Sequence, residues 1–290
     1  MIAFENISVV GWEPAIRGMR NPMNSWEKSD SIFRGIDTDA YMLNGDTFPW
    51  PSCEPGDIII GENDLALMKK LAAAGSDHAK FRRMIAVYMD ITAPLYWWKE
   101  FDTYKVGTVA NSCSTMHKIS DKEFTIEDFS TEHLIFESDV PSDEYDNAYD
   151  SETFEAINDK YCGYDDTDFV DFNSFPGESL KYTIAFLNRA RELYIKTKDK
   201  RYWWQMIQLL PSSYNQKRTV MVNYEVLANI YRSRRNHKLD EWHGLCKLIT
   251  TLPYAEGIIF PELTEEEKLA SAILLGDGSW DPVEGEHGSD

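Results

Sequence analysis

The stretch Ile91–Lys118, "ITAPLYWWKEFDTYKVGTVANSCSTMHK", decides how the chain is read. It emerges from "MIAVYMDIT" over 84–92, whose β-branched and aromatic content is that of a buried strand. Pro94 then permits a new helix start at "APLYWWKEFD", and Trp97 and Trp98 pack that helix. After Lys105 the composition changes to small and hydroxyl residues, with Asn111, Cys113 and His117 among them. Small residues let backbone N–H groups approach phosphate oxygens, hydroxyls add further bonds, and Lys105 and Lys118 supply charge. A polar turn joining core elements has the same composition, so the residues alone leave both readings open.

The rest of the chain is arranged around this stretch. Residues 2–10 alternate as a strand. "GWEPAIRGMRNPMNSWEKSDS" carries Pro, Gly and Asn punctuation and reads as a loop with short turns, in which Arg17 and Arg20 are either a rigid basic loop or simply solvated. "CEPGDIIIGEND" reads as a turn, an apolar strand and a helix start. "NDLALMKKLAAAG" reads as a helix capped by Asn63 or Asp64, with Leu65, Leu67, Met68, Leu71 and Ala72 as its stripe and Gly75 as its end. From Glu178 onward, apolar residues at 180, 184, 187 and 194 mark one helical face. "YWWQMIQLL" predicts a second helix stopped by Pro211, and "TVMVNYEVLANIYRSRR" a third with Leu227, Ile230 and Tyr231 on one side. "LDEWHGLCKLITTL" predicts a fourth, with Leu239, Trp242, Cys246 and Ile249 in register. The expected class is α+β, an antiparallel or mixed sheet packed with helices, with a helical C-terminal half. The expected organisation is a single domain over 1–275, with an acidic insertion at about 121–172, and a mobile acidic tail over 276–290.

Composition narrows the function. A chain of 290 residues with 43% hydrophobic and 13% aromatic residues can build a substantial core. A net charge of -20 disfavours nonspecific binding to nucleic-acid backbone, which needs a basic surface. The charge is uneven: Asp121 to Asp171 holds 18 acids and 2 bases, or -16, which leaves -4 for everything else. An anionic ligand can therefore bind outside the acidic segment, and the segment itself can dock on a basic protein partner through its aromatics, Phe124, Phe129, Phe136, Tyr145, Tyr149, Tyr161 and Tyr164. Cys53, Cys113, Cys162 and Cys246 form no C-x-x-C pair, there is no signal-like opening, and no apolar run reaches membrane-span length. These point to free thiols in a reducing cytoplasm and to no membrane association. His78, His117, His133, His237, His243 and His287 show no pair at zinc-ligand spacing on one helix, so no metal is expected.

A second polar segment, "LLPSSYNQKRTVMVNYEVLANIYRSRRNHKLDEWH", gathers Lys217, Arg218, Arg232, Arg234 and Arg235. Two to four of them can face one anion. They are equally accounted for as a solvated helix C-terminus, where positive charge is favourable in any case.

Taken in order, these segments resemble the flavin-dependent thymidylate synthases over about residues 60–253. "GSDHAKFRRMIAVYMDIT" sits where that family has a histidine-containing lead-in and strand, and "APLYWWKEF" where it has the helix before its motif R-H-R-x-x-S-x-N-E-x-S-x-R-Y. "NSCSTMH" aligns with the end of the motif: Asn111 and Ser114 match, while Ser112, Met116 and His117 replace its Glu, Arg and Tyr. The arginine triplet has become a stretch around "TYK", where Lys105 keeps one positive charge, and Thr108 can stand for the first serine if one residue is inserted. Further on, "LLP", "SSYNQKRT", "VNYEVLANIY" and "HKLDEWH" follow the family's order up to H-A-Q-x-E-I-R. His237 and Glu241 match, Leu239 replaces Gln and His243 replaces Arg.

The resemblance implies an α+β homotetramer with sites at subunit interfaces, using FAD, NADPH and methylenetetrahydrofolate to modify dUMP at C5 by methylation or a variant one-carbon transfer. On this reading His117 and Ser114 are catalytic. His78, Arg82, Tyr104, Lys105, Thr108, Asn111, Ser112, Arg218, Asn223, Arg235 and His243 bind the pyrimidine deoxynucleotide and the flavin. A divergent chain of this kind suits a bacteriophage or prophage. Each guanidinium lost from a phosphate site forfeits about 1.5–3 kcal/mol. The alternative is therefore a noncatalytic nucleotide-binding or acidic protein-interaction protein on the same fold.

Overall fold

The structure is a computed structural model describing residues 2–33, 58–139 and 176–260. The tail over 276–290 and most of the acidic insertion lie outside the described residues. The chain is α+β. Strand β1 (Ala3–Val10) leads into helix α1 (Trp12–Arg20), and two short strands, β2 (Ile32–Phe33) and β3 (Ile58–Ile59), pair antiparallel with Ile32 opposite Ile59. Helix α2 (Glu62–Ala73), a 3₁₀ segment (Ala79–Met84), β4 (Ala86–Pro94) and α3 (Leu95–Phe101) follow. Then come β5 (Thr108–Ser112), α4 (Thr115–Lys118), α5 (Pro176–Thr197), α6 (Lys200–Leu209), β6 (Asn215–Asn223), α7 (Tyr224–Arg234) and α8 (Asp240–Thr251). The main sheet runs in the order β1-β4-β6-β5.

The chain divides into two compact units: Met1–Ile7 with Tyr88–Met221, and Ser8–Val87 with Val222–Asp290. In the first, Trp97 and Trp98 are essentially fully buried, so they are core residues, as their place on α3 predicts. Phe101 stacks on Trp97 at 5.0 Å and meets Trp98 edge-on at 5.4 Å. A second cluster joins Leu180, Leu187 and Ala190 of α5 to Met206 of α6, Ile119, Phe124 and Phe129. This corrects one expectation. Phe124 and Phe129 belong to the acidic segment, but they are buried core residues and have no face to offer a partner.

In the second unit, Trp12 of α1 packs edge-on against Tyr224 and Tyr254, at 5.4 and 5.5 Å. The loop expected over 11–31 is thus in large part a helix. Pro14 is tolerated because it falls in the first turn, where its missing N–H has no intrahelical partner to lose. Trp12, Ala15, Ile16 and Met19, spaced i, i+3, i+4 and i+7, form its buried stripe. Gly11 makes this start workable: its φ is +94°, and a Cβ there would overlap the Met84 carbonyl. Arg20 is not solvated; its Nε donates to Asp64 Oδ1 at 2.6 Å in a buried ion pair.

Two further corrections concern helix starts. Neither Asn63 nor Asp64 caps α2; Gly61 occupies the N-cap, and Asp30 reaches in to accept from the N–H groups of Asn63 and Asp64, at 2.9 and 3.1 Å. The helix expected from Thr219 begins only at Tyr224. Residues Asn215–Asn223 alternate with Val220 and Val222 buried, and the β-branched run takes the strand conformation.

Candidate functional site

In the first unit the polar loop is a built structure. Ser114 is the N-cap of α4: its Oγ accepts from the His117 backbone N–H at 3.1 Å and lies 2.7 Å from His117 Nδ1. One serine thus both starts the short helix and holds an imidazole. Gln216 of β6 clamps the loop from below, its Nε2 donating to the Cys113 carbonyl at 3.0 Å and to Thr115 Oγ1 at 2.9 Å. The Gln216 amide is oriented in turn by Arg218, whose Nε donates to its Oε1 at 3.0 Å. The Arg218 guanidinium also donates to Asp102 Oδ1 at 2.8 Å and lies over the Trp98 ring, 4.2 Å from its centroid. It supports the loop through Gln216. Asn111, Ser112 and Lys105 are exposed, Tyr104 is half-buried, and Thr108 carries a buried Oγ1 without a hydrogen-bond partner.

The second unit contains a cavity of about 830 Å³. Its walls are the C-terminal end of α2 with the Gly75–Ser76 turn, Arg82 from the 3₁₀ segment, one face of α7, and Gly257, Ile259 and Phe260. The α7 face presents Glu225, Asn229, Arg232 and Arg235, while Val226, Leu227 and Ile230 are buried in the core. Arg232 is oriented by donating to Asn229 Oδ1 at 2.7 Å. Tyr231 and Phe260 stack at 4.9 Å and give the cavity an aromatic wall. Arg82 pairs with Glu225 at 3.5 Å, yet Arg82 Nε and Glu225 Oε2 are both buried without a hydrogen-bond partner. Burial lowers the Arg82 pKa; Glu225 opposes that shift and the like charge of Arg232 adds to it. A site with several guanidiniums, a turn and a flat aromatic wall suits an anionic ligand with a ring.

The structure thus brings together Ser114 and His117 in one unit and Arg82 and Arg235 in the cavity of the other. His78, Asn223 and His243 do not line that cavity. His78 is an exposed turn residue whose N–H donates to the Gly75 carbonyl. Asn223 caps α7, its side chain accepting from Val226 N–H at 3.0 Å. His243 Nδ1 lies 3.6 Å from Asp240 one turn earlier on α8. Sequence reasoning missed Glu225, Asn229 and Tyr231. The signal was present: 225, 229 and 232 fall at i, i+4 and i+7, a polar stripe opposite the apolar one.

No family model matches the chain, and no curated protein matches it in sequence. Among solved structures, its fold is that of the flavin-dependent thymidylate synthases. One similar structure is the enzyme ThyX from Helicobacter pylori complexed with FAD and dUMP, with a TM-score of 0.51 at 15% identity over 91% of this chain and 99% of the other. A second structure of the same enzyme, also with FAD and dUMP, gives a TM-score of 0.50 at 14% identity over 89% and 96% of the two chains.

Proposed function

We propose that the chain is a flavin-dependent, thymidylate synthase-like enzyme acting at C5 of a pyrimidine deoxynucleotide, by conversion of dUMP to dTMP or a variant one-carbon transfer. The observation that carries this reading is the cationic, aromatic-walled cavity on this fold, where Arg82, Arg232 and Arg235 converge in a chain whose net charge is -20. The residues fit a flavin nucleotide. Arg232 and Arg235 would hold phosphate oxygens by charge-assisted bonds, and the Tyr231–Phe260 pair offers a ring an apolar wall. When bound, the flavin supplies the hydride; NADPH as its reductant and methylenetetrahydrofolate as the carbon donor complete the reaction class.

The chain's own chemistry is then binding and proton handling. In the first unit Ser114 and His117 are the pair able to hold and pass a proton, with Gln216 and Arg218 fixing their loop. Lys105, Thr108, Asn111 and Ser112 are the proposed substrate contacts of that loop. A homotetramer acting in the cytoplasm goes with this proposal.

A second reading, a noncatalytic nucleotide binder on the same fold, is favoured by one observation: Arg218 is engaged by Asp102, Gln216 and Trp98. The visible absorbance of the purified protein, with and without added FAD and then with dUMP, tests both. Flavin bands that shift on adding dUMP, followed by dTMP production from dUMP with NADPH and methylenetetrahydrofolate, support the enzyme. Retained flavin without turnover supports the second reading, and no flavin uptake removes the redox mechanism.

A further inference from the structure

The cavity contains one feature that phosphate binding does not use, and indeed opposes. Glu225 places a carboxylate among Arg82, Arg232 and Arg235, where a phosphate would meet like charge. Its partner Arg82 stands 3.5 Å away, beyond the length of a strong charge-assisted bond. Each side chain also keeps one buried polar atom, Glu225 Oε2 and Arg82 Nε, without a hydrogen-bond partner. Among the described residues, only five side-chain atoms are in this condition, and two of them belong to one ion pair whose residues both line this cavity; being buried themselves, they reach a ligand only if the two side chains turn. Polar atoms buried in this way are costly unless a partner completes them.

We propose that Glu225 and Arg82 together read the imide edge of a heterocycle, the carboxylate accepting the ring N–H and the guanidinium donating to the adjacent carbonyl. A small rotation of both terminal groups exchanges one long ion pair for two charge-assisted bonds. The position of the phosphate follows from the helix. Arg232 is seven residues beyond Glu225 on α7, a rise of about 10 Å, which matches the span of a mononucleotide from ring edge to phosphate. Arg235, Asn229, Tyr231, Ser76 and Lys69 are the other polar side chains of the wall. The imide edge is common to uracil and to the flavin ring, and both are acceptable occupants. Cytosine is disfavoured, because in the same register its ring nitrogen is an acceptor that would face the Glu225 carboxylate; it can offer its amino group to Glu225 and its N3 to Arg82 only by shifting one position along the edge.

The inference rests on the proposed nucleotide-binding function and names the chemistry that its cavity selects. The test is titration calorimetry of the full chain with dUMP, FMN, dCMP and deoxyribose 5-phosphate, in the wild type and in Glu225→Gln. Wild-type protein is expected to bind dUMP or FMN about 10- to 100-fold more tightly than dCMP, the range set by one charge-assisted bond. Tighter binding of dUMP than FMN identifies the pyrimidine as the occupant, and the reverse identifies the flavin. Glu225→Gln is expected to erase most of the preference while still binding, because an amide can present either a donor or an acceptor. A purely structural ion pair would instead lower the melting temperature and leave the preference intact; Arg82→Lys provides the second measure of this. Equal binding of dUMP, FMN and dCMP overturns the inference while leaving a nucleotide site, and binding of none of the four overturns both it and the proposed function.

Discussion

Asp64 shows how one residue can carry a local fold. It is fully buried, and it accepts from Arg20 Nε, the Ser29 and Ser31 hydroxyls and the backbone N–H of Asp30 and Ser31. Burial alone would raise its pKa; bonds from Ser31, Ser29 and Arg20 outweigh that and hold it below the ordinary carboxylate range. A depressed carboxylate pKa gives stability that is fully present above the unfolded value and is lost as pH falls through the folded one. This contribution is therefore expected to be intact at neutral pH and to be lost in acid, as pH falls below the ordinary carboxylate range and through the lower folded value. Asp64→Asn leaves Arg20 buried and unpaired, so it should cost about 3–5 kcal/mol at pH 7. Urea unfolding at several pH values checks this: the wild-type advantage over Asp64→Asn should shrink in acid, and a constant gap would show that folding leaves the Asp64 pKa unchanged. Position 64 looked like a helix cap in the sequence because Asp is a common cap and an apolar run follows it. Its true partner, Arg20, lies 44 residues away, and nothing in the local pattern points there.

At the scale of elements, periodic segments were legible and punctuated ones were not. Strand β4 follows from its β-branched and aromatic content, its exit into α3 from Pro94, and helices α5 and α8 from apolar spacing, because that spacing reports burial directly. Helix α1 was hidden by Pro14 and Gly18, which read as breakers although the first can sit in an opening turn. Strand β6 was hidden by its continuation: Asn223 ends the strand and caps α7, and the apolar pattern runs through the joint. That cap can be tested. Asn223→Ala removes the bond to Val226 N–H and should destabilise the protein by about 0.5–2 kcal/mol. The reading of Asn223 as a ligand contact instead predicts weaker nucleotide binding at unchanged stability, so thermal melting and ligand titration on the same variant separate the two. The motif loop offers a parallel test through its supports. Arg218→Met removes the hydrogen bond to Gln216 and the ion pair with Asp102 while keeping an apolar contact with Trp98. Amide hydrogen exchange over residues 113–118 should then speed up relative to wild type, and unchanged exchange would show that the loop holds itself.

At the scale of the whole molecule, charge works against the cavity. The protein carries -20, and a phosphate-bearing ligand approaching it is repelled as a like charge. The cavity walls carry the opposite sign, through Arg82, Arg232 and Arg235. Which field the ligand feels depends on range. At about 10 mM salt the screening length is about 30 Å, so charge across the whole chain is felt; at about 150 mM it is about 8 Å, and only the cavity's own groups act at distance. Raising salt over that interval should therefore speed association of FMN with the protein, whereas a site on a basic protein shows the opposite trend. Stopped-flow quenching of flavin fluorescence measures the rate, and riboflavin, which lacks the phosphate, should show little salt dependence. A rate for FMN that falls with salt would mean that the local cations dominate at every range and that the acidic surplus lies too far from the cavity to matter. This was the part of the site most legible in the sequence, since the acidic surplus is concentrated in one segment and the arginines stand apart from it. What the sequence did not give was Glu225, because a single acid among arginines is unremarkable until the cavity places it against Arg82.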